Sequence, residues 1–445
     1  MANKTIVVQS PYETVSGYGA KSRDIIRSIV KWADKNNFDV KLVPTRWGGC
    51  PKTALATCDD RELFDSRKLT DKLPIQPEIF AQISIPNESQ PIGKYNIIFT
   101  SGIETTVCRG EWLEGLNKMD LAIVCSEHAK TVFKTTKFKK KDTKTGVESP
   151  CESTKPIEVL FEGSDTDLYN DDDGPVTEAT KLLDSIPEEF CFLFVGHWLQ
   201  GELGADRKDV GMLIKTFLET FKNQPKPPAL ILKTNGGNFS EMDKDEILRK
   251  IHNCETTIDY KSLPSVYLVH GELSDEEVNC LYNHKKVKVH VSFTHGEGYG
   301  RPLQEATLSG KPVIAPGWSG QVDFLDPSLS VLLKGELQPV HPSAVNEWII
   351  KESKWFNVNY SLAASQMLAV YKNYKKYLGN AQKLMKKNHQ EKSLKAIDKK
   401  LEEIFDTYLP KFAETVSVNL PTLNITGGPN TSGTMMNLPK LNKIG

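Results

Sequence analysis

The residues best suited to chemistry lie together at 292–324, SFTHGEGYGRPLQEATLSGKPVIAPGWSGQVDF. A glycine-rich turn, Gly296-Glu297-Gly298-Tyr299-Gly300, follows an apolar run that ends at Ser292. Pro302 then opens a helix and Gly310 closes it, the places where each residue is favoured. Glycines just past a strand let backbone N–H groups approach an anion, and a helix N-terminus adds partial positive charge. The segment therefore predicts a diphosphate site built on Gly298, Tyr299 and Gly300. Two carboxylates frame it, Glu297 in the turn and Glu305 inside the helix. A carboxylate accepts hydrogen bonds from vicinal hydroxyls, which sugars and ribose both carry. On charge alone a second role stays open, with Glu305 serving the helix dipole and Glu297 the turn.

His295, three residues before Gly298, is a further candidate for touching the bound molecule. His128 and His270 sit beside apolar runs and read as structural. Trp47, next to Gly48 and Gly49, is either a loop platform for a second substrate or ordinary packing. The string Asp165-Thr166-Asp167 has the form of a divalent-metal motif, but it follows the last strand of the first half, so no metal site is expected.

These residues must be positioned by alternating strands and helices. In the first half, 5–9, 39–44, 95–100, 121–125 and 157–161 are apolar, β-branched runs of strand length, with helical patterns at 21–36, 111–118 and from 127. An acidic stretch, 170–175, interrupts. Alternation restarts with strands at 190–195, 229–233, 266–269, 287–292 and 312–315 and helices at 210–221, 274–282 and 302–309. Such alternation implies parallel sheets covered on both faces. Residues 343–410 read as mostly helical. The expected division is 1–170, a linker at 171–189, a second domain at 190–375, helices at 376–411 crossing back to the first domain, and a tail at 412–445. The tail is poor in charge and repeats NLPTLN (419–424) as NLPKLN (437–442), a pattern suited to docking on a protein partner.

With 56 Lys and Arg against 57 Asp and Glu, net charge favours no class of partner. Its distribution is uneven. Residues 371–400 hold ten Lys against Glu391 and Asp398, and 134–145 hold six Lys against Asp142. These runs are solvated surface, or else they meet a phosphate-rich partner such as a membrane face or DNA. The eight cysteines form no C-x-x-C pair and predict reduced thiols. No secretion signal or membrane span is read, so the expected location is the cytoplasm, that of a host cell if the chain is viral.

The 297–315 segment, with two Glu eight apart, G-Y-G between them and E-A-x-x-x-G-K-P-V-I-A after, resembles the donor-site signature of retaining glycosyltransferases with the GT-B fold, of the family-4 type. FLFVGHW…ADRKDVGMLIKTF at 192–217 resembles the family segment that brings an Arg/Lys pair to the donor diphosphate, a role that falls to Arg207 and Lys208. His197 replaces the usual Arg after the strand glycine. LILKTNGG at 230–237 resembles the family too, including Lys233, and S-G-Y-G at 16–19 resembles its N-terminal glycine loop, with Gly17 and Gly19. The segments 97–133 and 156–169 resemble the acceptor-domain core and its run into the linker. The likeness covers roughly 1–410 and is weakest at 45–95 and 134–155.

The resemblance implies an α/β chain of two Rossmann-like domains facing across a cleft. It implies transfer of a hexose, with retention, from a nucleoside diphosphate sugar such as a UDP- or GDP-sugar. Glu297 would contact sugar hydroxyls, Glu305 the ribose, and Arg207 and Lys208 the diphosphate in place of a metal. No cofactor is expected beyond the donor substrate. The acceptor is open among a glycan, a lipid-linked glycan, a modified DNA base and a protein. The alternative outside catalysis is a nucleotide-sugar-binding module.

Overall fold

The computed structural model describes residues 4–56, 58–73, 75–237 and 239–412. The first half runs β1 (Lys4–Ser10), α1 (Gly17–Asn36), β2 (Phe38–Pro44), α2 (Arg61–Asp65), β3 (Ile79–Ile83), β4 (Tyr95–Thr100), α3 (Gly110–Asn117), β5 (Leu121–Val124) and α4 (Glu127–Thr135). A hairpin, β6 (Phe138–Lys141) and β7 (Glu148–Cys151), precedes β8 (Ile157–Val159). Six of these strands form one parallel sheet in the order β2-β1-β3-β4-β5-β8. Its strands are apolar on both sides because α1 covers one face and α3 and α4 the other. Helix α1 starts where the Ser16 hydroxyl accepts the Gly19 N–H and stops at Asn37, whose left-handed φ of 56° suits Asn.

The second half runs α5 (Glu178–Ser185), β9 (Cys191–Val195), α6 (Val210–Phe221), β10 (Ala229–Lys233), α7 (Glu241–Glu255), β11 (Val266–Val269), α8 (Asp275–Asn283), β12 (Val287–Val291), α9 (Arg301–Leu308), β13 (Val313–Pro316) and β14 (Val331–Leu333). Its parallel sheet has the order β11-β10-β9-β12-β13-β14. An antiparallel ribbon follows, β15 (Gly335–Pro339) with β16 (Lys354–Val358), then α10 (Tyr360–Lys372), α11 (Tyr374–Glu391) and α12 (Leu394–Tyr408). In the first sheet the strand order reverses between β1 and β3, and in the second between β9 and β12. Ligands of open α/β sheets bind past the carboxyl ends of strands at such reversals.

Helix α11 packs on α9, and α12 returns to α1. There Asp398 accepts from the Ser28 hydroxyl and from Lys31 at 2.6 and 2.7 Å, and Trp32 meets Phe405 edge-on with ring centroids 4.9 Å apart. Phe412 reaches Phe38 at 5.9 Å. The NLPxLN repeat lies outside the described residues. All eight cysteines are free. No helix among the described residues is long and apolar enough to cross a membrane.

The reading of 343–410 as mostly helical is corrected at its start. Residues 354–358 form β16, since Trp355, Phe356 and Val358 are buried and favour a pleated surface. Strand β3, helix α7 and helix α5, which lies inside the expected linker, are elements that the sequence pattern did not reveal.

Candidate functional site

The loop 292–300 leaves β12 at the reversal point of the second sheet. Its Thr294 hydroxyl and His295 N–H both donate to the Arg207 carbonyl, at 3.3 and 2.9 Å, which ties it to the loop before α6. That loop reads Asp206-Arg207-Lys208-Asp209. Asp209 takes a left-handed φ of 52°, and its carboxylate accepts the Tyr360 hydroxyl at 2.7 Å. Asp206 accepts the Val210 N–H at the start of α6, and burial pushes its carboxyl up to about 6. Two buried acids thus hold the turn that carries two cations, where a strained backbone fixes side-chain direction.

Lys208 forms a short ion pair with Glu297, and the Arg207 guanidinium lies 3.6 Å from the same carboxylate. Burial alone would raise the Glu297 carboxyl, but Lys208 and Arg207 outweigh it and hold it below the usual carboxylate range. Arg207 also pairs at 3.0 Å with Glu104, which comes from the loop after β4 in the first half. Sequence reasoning missed Glu104, which lies between Ile103 and two threonines with nothing to mark it.

Glu305 lies apart from this cluster. Arg301 donates to it at 3.0 Å and to Asp24 of α1 at 2.9 Å, so one guanidinium bridges α9 and α1. The Tyr282 hydroxyl reaches Glu305 at 3.4 Å. Burial pushes the Glu305 carboxyl up to about 7 against the pull of Arg301. Lys233 is elsewhere again: its ammonium donates to the Gly271 carbonyl at 2.5 Å and lies over the Phe239 ring. His197 meets Asn235 at 2.9 Å, linking the loops after β9 and β10.

The two halves touch directly at the glycine loop. The Ser126 hydroxyl and Cys125 thiol donate to the Gly298 carbonyl at 2.6 and 3.2 Å. A Cβ added at Gly298 would come within 2.7 Å of the Ser101 carbonyl, and one at Gly296 within 2.1 Å of the Glu104 carbonyl. Gly300 alone of the three has a left-handed φ, 100°. Thus Gly296 and Gly298 serve the approach of the opposite domain. At the other loop, Gly19 packs against the Thr14 carbonyl while Gly17 is open, with nothing near an added Cβ.

The two half-sheets, each doubly wound and meeting at their carboxyl ends, decide the architecture. The fold is GT-B. Solved structures similar to the chain are glycosyltransferases and related enzymes at low identity. HepE of Anabaena, solved in complex with UDP and glucose, is 11% identical with a TM-score of 0.56, covering 91% of this chain and 100% of that one. Sucrose-phosphate synthase of Thermosynechococcus elongatus is 14% identical with a TM-score of 0.57, over 91% and 98%. A glycosyltransferase of Rickettsia africae is 13% identical with a TM-score of 0.58, over 92% and 99%. No protein-family profile and no curated protein sequence matches the chain.

Within this GT-B chain the remaining candidates are placed as follows. His295 is buried, with Nδ1 2.9 Å from the Phe356 carbonyl and Nε2 3.2 Å from that of Gly204, and it stacks on Trp355. Both nitrogens face backbone carbonyls, and the neutral ring favoured by burial has one N–H to donate, so the ring braces the Arg207 loop through one of them. The Tyr299 ring is buried against Phe324, and its hydroxyl has no hydrogen-bond partner among the described residues. Trp47 stacks on Tyr18 at 4.0 Å, and the Tyr18 hydroxyl accepts the Ser101 N–H. His128 sits edge-on to Trp318, and burial lowers it to about 4. His270 pairs with Asp243. Asp165 accepts the Asp167 N–H in a local turn. Of the lysines at 134–145, Lys137, Lys139 and Lys140 pair with Glu152, Glu148 and Glu114, which neutralises half of that run locally.

Proposed function

We propose that the chain is a retaining glycosyltransferase of the family-4 type that moves a hexose from a nucleoside diphosphate sugar to an acceptor hydroxyl. The observation that carries this is the Arg207–Lys208–Glu297 cluster at the reversal point of the second sheet, facing Glu104 of the first half. The anomeric carbon–oxygen bond breaks, and its electron pair passes to the leaving diphosphate. Arg207 and Lys208 stabilise that charge without a metal, and one well-aimed donor to developing charge is worth about 3–4 kcal/mol. The acceptor oxygen attacks on the same face, and its proton goes to the departing phosphate. Glu297 holds sugar hydroxyls, Glu305 the ribose, and the amides of Gly298 and Gly300 the phosphates.

The first half, to about residue 170, takes the acceptor, the segment to 189 links, and 190–375 takes the donor. UDP is the favoured nucleotide, since HepE is bound to UDP in a similar fold. The cytoplasm is the proposed location. UDP- and GDP-sugars screened for hydrolysis, with NMR of the released sugar's anomer, test the reading. An inverted anomer removes the retaining mechanism, and no hydrolysis or binding of any donor removes the enzyme. A binding module without catalysis would bind a donor and never consume it.

A further inference from the structure

Each of the two framing glutamates shares an arginine with an acid of the first half. Arg207 stands between Glu297 and Glu104, and Arg301 stands between Glu305 and Asp24. The two arginines differ in what they can meet. Arg207 sits beside Lys208, where the leaving diphosphate is placed. Arg301 has both arms on carboxylates: its Nε donates to Glu305 at 3.0 Å and its Nη1 to Asp24 at 2.9 Å. We propose that Arg301 is a positioning residue for the donor ribose: anchored on Asp24, it aims the Glu305 carboxylate at the ribose hydroxyls only while α1 of the first half lies against α9. This role rests on the reading of Glu305 as the ribose contact, and it makes that contact conditional on the opposite half.

Arg301 is the first residue of α9, where a cation opposes the helix dipole. Its place there needs compensation, and the two carboxylates supply it. The planar guanidinium donates in fixed directions, so it can hold two carboxylates at a set angle, which a single ammonium cannot. The side chains of Asp24 and Glu305 are each 9% exposed, so solvent screens these contacts little. Glu305 has only one other polar partner, the Tyr282 hydroxyl at 3.4 Å, which is long for a hydroxyl donor. Arg301 therefore sets the direction of the carboxylate, and the remaining lone pairs are left for hydroxyls that donate. Burial drives Glu305 toward its neutral form. Arg301 is the strongest pull toward the carboxylate, Asp275 adds to the push of burial, and Tyr282 opposes it more weakly than Arg301 does.

Asp24 is braced in turn. Its other oxygen accepts from Arg27 at 3.1 Å, and Arg27 grips Asp60 with Nε and Nη2 at 2.6 and 2.9 Å. Charges of alternating sign thus run through Asp60, Arg27, Asp24, Arg301 and Glu305, from the start of α2 to the donor side. The two arms of Arg301 end on different halves, so parting the halves takes the guanidinium away from one carboxylate or the other. Linkage makes the effect reciprocal: whatever factor the contact of the halves adds to ribose binding, ribose adds to the contact. Neighbouring contacts hold the halves without touching the Glu305 side chain. The Ser126 hydroxyl donates to the Gly298 carbonyl, and the Glu127 N–H donates to Asp323 at 2.8 Å. The halves therefore stay joined when Asp24 is changed, and what is lost is the aim of Glu305.

The test is calorimetry on the full chain with UDP and 2′,3′-dideoxy-UDP, and with the corresponding GDP pair in parallel. The ratio of the two affinities reports the ribose hydroxyls alone, because a loss of folded protein or of phosphate contacts affects both nucleotides alike. The wild type prefers the ribose form by about tenfold or more. Asp24→Ala leaves Arg301, Glu305 and the Arg27–Asp60 pair in place, and it lowers that preference at least several-fold. Asp24→Glu restores part of it. Arg301→Lys, which keeps the charge without the fork, lowers it as well. A preference unchanged in Asp24→Ala or in Arg301→Lys, with the two affinities steady or falling together, overturns the inference and leaves Arg301 as a tie between the halves. A wild type that binds both nucleotides equally takes Glu305 away from the ribose and removes the underlying reading too, and a wild type that binds none of the four removes the donor site itself.

Discussion

Replacing Glu297 with Ala leaves Lys208 without its carboxylate, while Arg207 keeps Glu104 at 3.0 Å. The Lys208 and Glu297 side chains are only 12% and 9% exposed, so solvent does little to screen the loss. Removing one partner of a buried pair costs about 3–5 kcal/mol. At about 2–4 °C per kcal/mol for domains of this size, the melting temperature should fall by roughly 6–20 °C. A nucleoside diphosphate supplies the missing negative charge. In the wild type it shares Lys208 with Glu297, and in the variant it does not. UDP should therefore bind the variant about tenfold more tightly, about 1.4 kcal/mol, and raise its melting temperature by more than it raises that of the wild type. Sugar transfer should move the other way. Two lost hydrogen bonds between sugar hydroxyls and a carboxylate, at about 1.5–3 kcal/mol each, lower turnover by at least about a hundredfold. Scanning fluorimetry with and without UDP, calorimetry and a transfer assay measure all three. A UDP-induced shift equal to or smaller than that of the wild type refutes the assignment of Lys208 to the diphosphate.

Replacing Arg207 and Lys208 together with Ala should weaken UDP by about a hundredfold or more, at about 1.5–3 kcal/mol for each charged hydrogen bond, while uridine binding stays within a few-fold by calorimetry. Activity should survive EDTA, and loss in chelator with recovery on adding magnesium or manganese would reject the metal-free mechanism. Burial raises Glu305 to about 7, so the folded chain holds a proton that an unfolded carboxyl releases near about 4.3. This group's contribution to stability is full below about 4.3 and is lost as pH rises through about 7. Glu305→Gln should remove that slope, gaining on the wild type by up to about 3 kcal/mol between pH 5 and 8 in urea unfolding. Ending the chain after Phe412, which still packs on Phe38, should leave melting and donor hydrolysis unchanged; a lost partner in a pull-down would support docking by the tail, and an inactive enzyme would refute it.

The strands were legible wherever apolar β-branched runs stood alone, as in β1, β4, β9 and β10. Strand β3 was not, because its five residues sit between Pro77 and Pro86 in a stretch full of turn residues. The β15–β16 ribbon escaped because GELQP is mostly exposed and carries no periodicity. Within the candidate site, the Glu297 and Glu305 pattern was legible as a glycine turn and the helix after it, but partners such as Lys208 and Tyr282 come from other parts of the chain. Arg301 carried a faint signal: a cation in the first turn of a helix opposes the dipole, and its explanation is Asp24 across the cleft. Asp24 carried another, since Lys21, Asp24 and Ser28 lie on the buried face of α1. His295 was marked only by its place before the glycines. Nearness in sequence to Gly298 said nothing of direction, and its ring turns toward the backbone of 204 and 356.

The packing of Gly296 and Gly298 against the Glu104 and Ser101 carbonyls has a consequence for how such a motif is read. Neither takes a left-handed φ, so what forbids a side chain is mainly a surface nearly two hundred positions away, joined at Gly296 by the Trp318 ring. The spelling of this loop is therefore a mould of its neighbour. A single methyl at Gly298, whose near neighbours are all Ser101, acts as a wedge: it leaves the second domain intact and holds the first one off, separating Arg207 from Glu104. An enzyme wedged in this way would still grip a nucleotide and would have no wall on the side from which the acceptor comes.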